Sequence, residues 1–321
     1  MILSGLIVFL ILLLIALVYR RLATRFDIVD KPNHRSSHSH VTVRGGGILF
    51  PAAVVMWWFV FDFSNTWMVL GIVLISAVSL LDDIYTISSK IRFGIQFLAL
   101  SMAFHDLGVF QAIDWFYLPI FYFIALGIIN AINFMDGING ITGLYGLIFL
   151  GSLWAVNHYT GLFELNLIRY EILAICVFLL FNLRKKAIMF AGDIGSISLA
   201  YLMIYFLTEW YLVAGSWTII LFLAIYGMDA FLTIAQRLRN GENVLKPHRS
   251  HLYQVLVNQY KKDHVIIALI YALLQLAVNF TFFIFPKSIP NPYMASILLI
   301  GIGVFYLVFK SLLLRKHEFK K

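Results

Sequence analysis

Thiol chemistry is nearly absent from this chain: of its 321 residues, one is a cysteine, Cys176. A single thiol excludes an internal disulfide framework and a thiolate metal cluster. Its place inside an apolar run reads as a small buried hydrophobe. Charge is scarce too. Only 12% of residues are Asp, Glu, Lys or Arg, against 61% hydrophobic, and the mean hydropathy is +0.89. A soluble domain of this size needs far more polar surface, so the composition selects a membrane protein. The longest polar stretches, about 20–46 and 236–263, are too short for a separate soluble domain, and neither an internal repeat nor a low-complexity tract interrupts the pattern. One membrane domain, 1–321, is expected. A net charge of +8 would by itself admit a nucleic-acid partner, but its distribution argues against one.

What is present is a series of apolar runs, each near the roughly 17–25 residues that cross a hydrocarbon core. Eleven are expected: 2–19, 47–63, 67–82, 93–110, 116–134, 139–157, 166–183, 194–209, 215–235, 264–284 and 293–313. The first has no basic residue ahead of it, Arg20-Arg21 behind it and no small-residue cleavage pattern, so it reads as a retained span. The predicted fold is all-α and polytopic. Of the 24 basic residues, all but Arg169 and Lys287 fall on one side of the alternating loops. The positive-inside rule makes that side cytoplasmic, which puts the N-terminus outside and the C-terminus inside.

Five polar motifs meet on that face, and ionisable groups at span ends are costly enough to suggest function. Asp82-Asp83 closes the third run, ahead of Lys90 and Arg92; two adjacent carboxylates stay ionised only beside a cation. If the helix continues, Asp83 and Lys90 lie two turns apart on one side. Asn130, Asn133 and Asp136 leave the fifth run as an oxygen-rich edge spaced by single turns, a donor set suited to Mg²⁺. Gly192-Asp193-Ile194-Gly195 opens the eighth run, where glycine admits close backbone approach and a new helix N-terminus favours anions, unless Asp193 serves only as its N-cap. In Lys246-Pro247-His248-Arg249-Ser250-His251, Pro247 suits the first helical position, which sets His248 and His251 one turn apart beside Arg249 as donors to a diphosphate. The stretch Asp30–His38 with Arg44-Gly45-Gly46-Gly47 supplies basic side chains and flexible backbone for phosphate, or only a basic loop and a helix-packing glycine patch. Asp229 is left open, as a further site group or a partner of Arg237. Asp62, Asp106, Asp114 and Glu164 read as solvated loop charges on the opposite face.

In this order the motifs resemble the polyprenyl-phosphate N-acetylhexosamine-1-phosphate transferases, glycosyltransferase family 4, over most of the chain from Asp30 to Gln254. His248-Arg249-Ser250-His251-Leu252-Tyr253-Gln254 and Asn33–His38 look like the O-antigen-initiating branch. They depart from the triple-histidine form of the peptidoglycan enzyme, which argues against a muramoyl-pentapeptide substrate. The resemblance implies a UDP-N-acetylhexosamine donor, an undecaprenyl phosphate acceptor and release of UMP. It further implies Mg²⁺ (or Mn²⁺ in its place), the bacterial inner membrane with the site on the cytoplasmic face, room for a homodimer, and no nucleic acid. On that reading Asp193 is the principal metal ligand, Asn133 and Asp136 complete the site, and Asp82 and Asp83 position the acceptor, one of them acting as a base. Asn130, Lys90, Arg92, Arg44, Gly192, His248, Arg249 and His251 contact substrate. A transporter is the competing class, but it would place ionisable groups at the bilayer midplane and usually show repeat symmetry. The CDP-alcohol phosphotransferases carry a dense run of four aspartates that this sequence lacks.

Overall fold

The computed structural model describes residues 2–32, 40–243 and 249–318. The motif residues Asn33–His38, Lys246, Pro247 and His248 lie outside them. The expected runs fall on helical segments, with 93–110 divided between α4 and α5 and 215–235 between a 3-10 turn and α10: α1 Ile2–Arg25, α2 Leu49–Val60, α3 Thr66–Tyr85, α4 Ser89–Asp106, the short α5 Val109–Ala112, α6 Leu118–Met135, α7 Ile141–Thr160, α8 Leu165–Asn182, α9 Gly192–Ala214, α10 Ala224–Arg239, the single turn α11 Leu252–Gln254, α12 His264–Asn279 and α13 Pro292–Glu318. The 3-10 turns Gly46–Ile48 and Trp217–Leu223 lead into α2 and α10, and a wide turn, Phe280–Ile284, prolongs α12. Among the described residues the one departure from all-α is a short antiparallel pair, β1 Val29–Asp30 against β2 Thr42–Val43.

Local chemistry sets the helix ends. Asp263 accepts from the amides of Val265 and Ile266 to start α12, and Ser88 caps α4. Gly161 and Gly215 stop α7 and α9 in the left-handed conformation, which costs glycine nothing. Asp106 is not a free loop charge as expected: its carboxylate accepts from the Met68 amide at 2.7 Å and ties the end of α4 to the start of α3.

Eight segments are long and apolar enough to cross a membrane. The stretch Gly46–Val60 is apolar but shorter, α4 carries Lys90, Arg92 and Asp106, and α7 carries Asn157 and His158 among small residues. Helix α9 is the hub, 72% buried over its apolar window, with α3, α6 and α2 packed around it; α1 and α13 are peripheral at 22% and 17%. The side chains that α1 and α13 leave exposed include Leu6, Leu10, Leu14, Ile297, Ile300 and Val304, a belt only an apolar solvent would tolerate. The protein is a polytopic helical membrane protein.

Candidate active site

Backbone pairing builds the site's floor. Val43 bridges Met189, the Phe190 amide donates to the Val43 carbonyl at 2.8 Å, and the Gly46 and Gly47 amides donate to the Phe190 and Ala191 carbonyls at 2.7 and 3.0 Å. Residues 43–47 therefore run beside the entry to α9. A Cβ on Gly47 would overlap the Gly195 Cα, so these glycines let backbone meet backbone. Asn182 ties in the next strand of chain, accepting from the Gly140 amide and donating to the Met189 carbonyl.

Arg44 is thereby held against two acids. Its Nε lies 2.8 Å from Asp83 Oδ1 and its terminal nitrogen 3.6 Å from Asp193 Oδ1. Arg92, from the first turn of α4, lies 2.8 Å from Asp82 Oδ2 and 3.9 Å from Asp193 Oδ2. Helix α3 delivers Asp82 and Asp83 and then stops, because Thr86 takes a positive φ of 56°. The helix does not continue to Lys90, which projects exposed from the first turn of α4, so the two-turn relation expected between Asp83 and Lys90 is not formed. The two arginines are the cations that adjacent carboxylates need.

The N-terminus of α9 is occupied from within the chain. The Asp193 and Ile194 amides donate to Asp83 at 3.1 and 3.4 Å, so the helix end expected to meet a substrate anion meets the Asp83 carboxylate instead. Gly192 makes room for it: its φ is +73°, and a Cβ there would sit 2.5 Å from Asp83 Oδ2. Asp193 is not the N-cap, since Ala191 holds that position. Its carboxylate shares Arg92 with that of Asp82.

The oxygen-rich edge of α6 lies next to this centre. Asn133 Oδ1 accepts from Ser196 at 2.6 Å, and Asp136 Oδ1 accepts from Thr142 at 2.6 Å. Burial pushes the Asp136 carboxyl up to about 6; the Thr142 hydroxyl opposes that, nearby Asp193 adds to it and Arg44 opposes it. Arg44 is raised above its ordinary value despite burial, because Asp83 and Asp193 favour its charge. Asn130 turns away, donating to the Leu126 carbonyl at 2.7 Å. Thr142 and Ser196 were not anticipated; a hydroxyl in an apolar run gives no sign of the acid or amide it will meet.

The fourth motif sits apart. Residues 249–251 are not helical and α11 starts only at Leu252, while His248, the other half of the expected pair, lies outside the described residues. His251 is 1% exposed, with Nδ1 3.3 Å from Asp229 Oδ1. Asp229 does not pair with Arg237, which bonds Glu242 instead. Lys310, counted among the cytoplasmic loop charges, is buried beside Tyr306 and Thr233. Arg249 lines a cavity of about 530 Å³ with Asn139, Lys185, Phe190, Lys261 and Lys262. On the other side of α6, apolar cavities of about 550 and 240 Å³ both reach Ile128 and Ile220, forming one groove that ends by Ala131 and Tyr226.

The acidic centre is thus braced by two arginines, in a helical membrane bundle that also holds a basic cavity and apolar ones. Residues 65–211, which contain all four aspartates of this centre, match the sequence model of glycosyl transferase family 4. It is 27% identical to a probable undecaprenyl-phosphate N-acetylglucosaminyl 1-phosphate transferase of Bacillus subtilis (strain 168), over 76% of this chain and 74% of that protein. It is also 27% identical to the undecaprenyl-phosphate alpha-N-acetylglucosaminyl 1-phosphate transferase of Escherichia coli (strain K12), over 78% and 74%. The Salmonella typhi enzyme of that name is 28% identical over 78% and 74%.

Proposed function

We propose that this protein transfers an N-acetylated sugar-1-phosphate from a UDP-sugar to undecaprenyl phosphate, releasing UMP and starting a lipid-linked envelope polysaccharide of the O-antigen kind. The observation that carries the reading is the convergence of Arg44 and Arg92 on Asp82, Asp83 and Asp193, where α3 ends and α9 begins. Such a reaction needs a nucleotide diphosphate from water and a phosphate whose chain stays in the bilayer. Lys185, Lys261, Lys262 and Arg249 suit the first. Ile128, Ile132, Ile220 and Leu223 suit the second.

Two anions must approach each other, and fixed guanidinium groups offset that repulsion where charge develops on departing UMP. A phosphate monoester has its second pKa near 6 and is already mostly dianionic at neutral pH, so direct in-line attack needs no strong base. Asp83 suits a bracing role better than attack, because its side chain is fully buried and its oxygens already meet Arg44 and two amides. Asp82 and Asp193, partly exposed, face the ligand. Among the described residues no group of three His, Cys, Asp or Glu is assembled as a metal cage. The carboxylates of Asp82 and Asp193, which share Arg92, nonetheless fit a hard divalent cation completed by substrate oxygens. Mg²⁺, with Mn²⁺ in its place, would be held by Asp193 with Asn133 and Asp136 alongside, and when bound would supply charge neutralisation at the diphosphate.

The chain would cross the membrane eleven times as one domain, 1–321, with α2, α4 and α7 joining the eight longer apolar segments. The one-sided basic loops support a cytoplasmic site in a bacterial inner membrane. The test incubates purified protein with Mg²⁺, undecaprenyl phosphate and a panel of UDP-sugars and follows UMP. Release with an N-acetylhexosamine donor is expected. Silence with every donor sinks the proposal, and a trapped phospho-enzyme formed from donor alone replaces direct attack with double displacement.

A further inference from the structure

Asp229 lies on α10, away from the acidic centre, and is 1% exposed. Its carboxylate is fully engaged. Tyr271 of α12 donates to Oδ2 at 2.6 Å; Tyr306 of α13 and the Leu252 amide donate to Oδ1 at 2.8 and 3.1 Å, with His251 Nδ1 at 3.3 Å. Lys310 Nζ bonds Tyr306 and Thr233 at 2.9 and 3.0 Å, which places a positive charge one hydroxyl beyond the acid. A buried carboxylate with this many donors joins four chain segments: α10, α12, α13 and the start of α11.

The far side of α11 is also fastened. The fully buried Tyr253 donates to the Phe134 carbonyl at 3.0 Å, inside the Asn133–Asp136 edge, and reaches it across Gly137, where a Cβ would overlap the phenol oxygen. The His251 and Tyr253 rings stack at 5.8 Å. The turn 251–254 is thus held between Asp229 and the rim of the acidic centre. Arg249 lines the basic cavity just ahead of this turn, and Lys261 and Lys262 line it beyond the wide turn Val255–Gln259 that follows.

We infer that Asp229 is a positioning residue for the donor: through His251 and the Leu252 amide it anchors the segment 249–262, whose Arg249, Lys261 and Lys262 line the basic cavity on the nucleotide side. His251 then acts through Asp229 rather than by touching substrate. The inference rests on the transferase reading for its kinetic consequence but not for its structural one. The experiment compares wild type with Asp229→Asn, and with the milder Tyr306→Phe, in detergent-purified full-length protein. Trypsin cleavage after Arg249, read by mass spectrometry, reports the clamp without any activity. In Asp229→Asn it is expected to rise about tenfold, as local opening becomes cheaper, with a smaller rise in Tyr306→Phe.

In the UMP assay Asp229→Asn should raise the KM for the UDP-sugar about tenfold and leave the KM for undecaprenyl phosphate within about twofold. Adding His251→Asn to Asp229→Asn should cost little more, since both belong to one clamp. Unchanged cleavage at Arg249 overturns the inference, as does an equal rise in both KM values. A wild type that releases no UMP from any donor overturns the transferase reading alone, and the cleavage arm still decides the clamp.

Discussion

Asp193 stands where the salt bridges of the site converge, reached by Arg44 and by Arg92, which it shares with Asp82. Asp193→Ala should lower UMP release at least about a thousandfold, the size expected when a fixed electrostatic group is lost. Unaltered elution and melting would show that the fold survives, and activity within tenfold of wild type would refute the assignment. Asp136 yields a pH prediction. Its carboxyl is raised from 3.8 to about 6, so the fold prefers its protonated form. That preference stabilises below the unfolded value and is lost as pH rises through 6. A step that needs the carboxylate runs the other way and weakens as pH falls below about 6. Removing the Thr142 hydroxyl, which favours the ionised form, should move the acidic limb of the pH–rate profile upward in Thr142→Val. A limb that stays in place would separate Asp136 from the rate.

At the scale of elements, the contact of Gly47 with Gly195 fixes Arg44 over the entry to α9. Overpacking a tight contact costs about 1–3 kcal/mol, so Gly47→Ala should lower the melting temperature in detergent and weaken transfer together. A variant that loses transfer at full thermal stability would indicate a direct ligand contact at Gly47 instead. This scale also shows what the sequence could convey. The apolar runs placed all the long helices, because a bilayer forces each span to be long, apolar and internally hydrogen-bonded. Asp82-Asp83, Asp193 and the α6 edge were legible because charge at a span end is expensive enough to stand out. Partnerships were not. That Asp83 would close α9, or that His251 would turn inward to Asp229, depends on where non-adjacent helices meet. Glu171 went unremarked and is wholly buried in α8; a single acid inside a long apolar run carries no periodic signal.

For the whole molecule, the basic loops give an orientation that can be measured. In a Cys176→Ser background, Lys185→Cys should be shielded from an impermeant maleimide in intact cells and labelled after lysis. Lys287→Cys should react in both. The reverse pattern would invert the topology and remove the site from the cytoplasmic face. The charge asymmetry and the motifs agree because a soluble nucleotide sugar and a bilayer-bound phosphate can meet only at that boundary.

The apolar cavities along α6 and the basic cavity by Phe190 share no lining residue, and the proposed reaction gives one to each substrate. With separate entrances, neither substrate obstructs the other, so the order of arrival is immaterial. Initial-rate plots with both substrates varied should intersect rather than run parallel, and neither ligand should be an obligatory first binder.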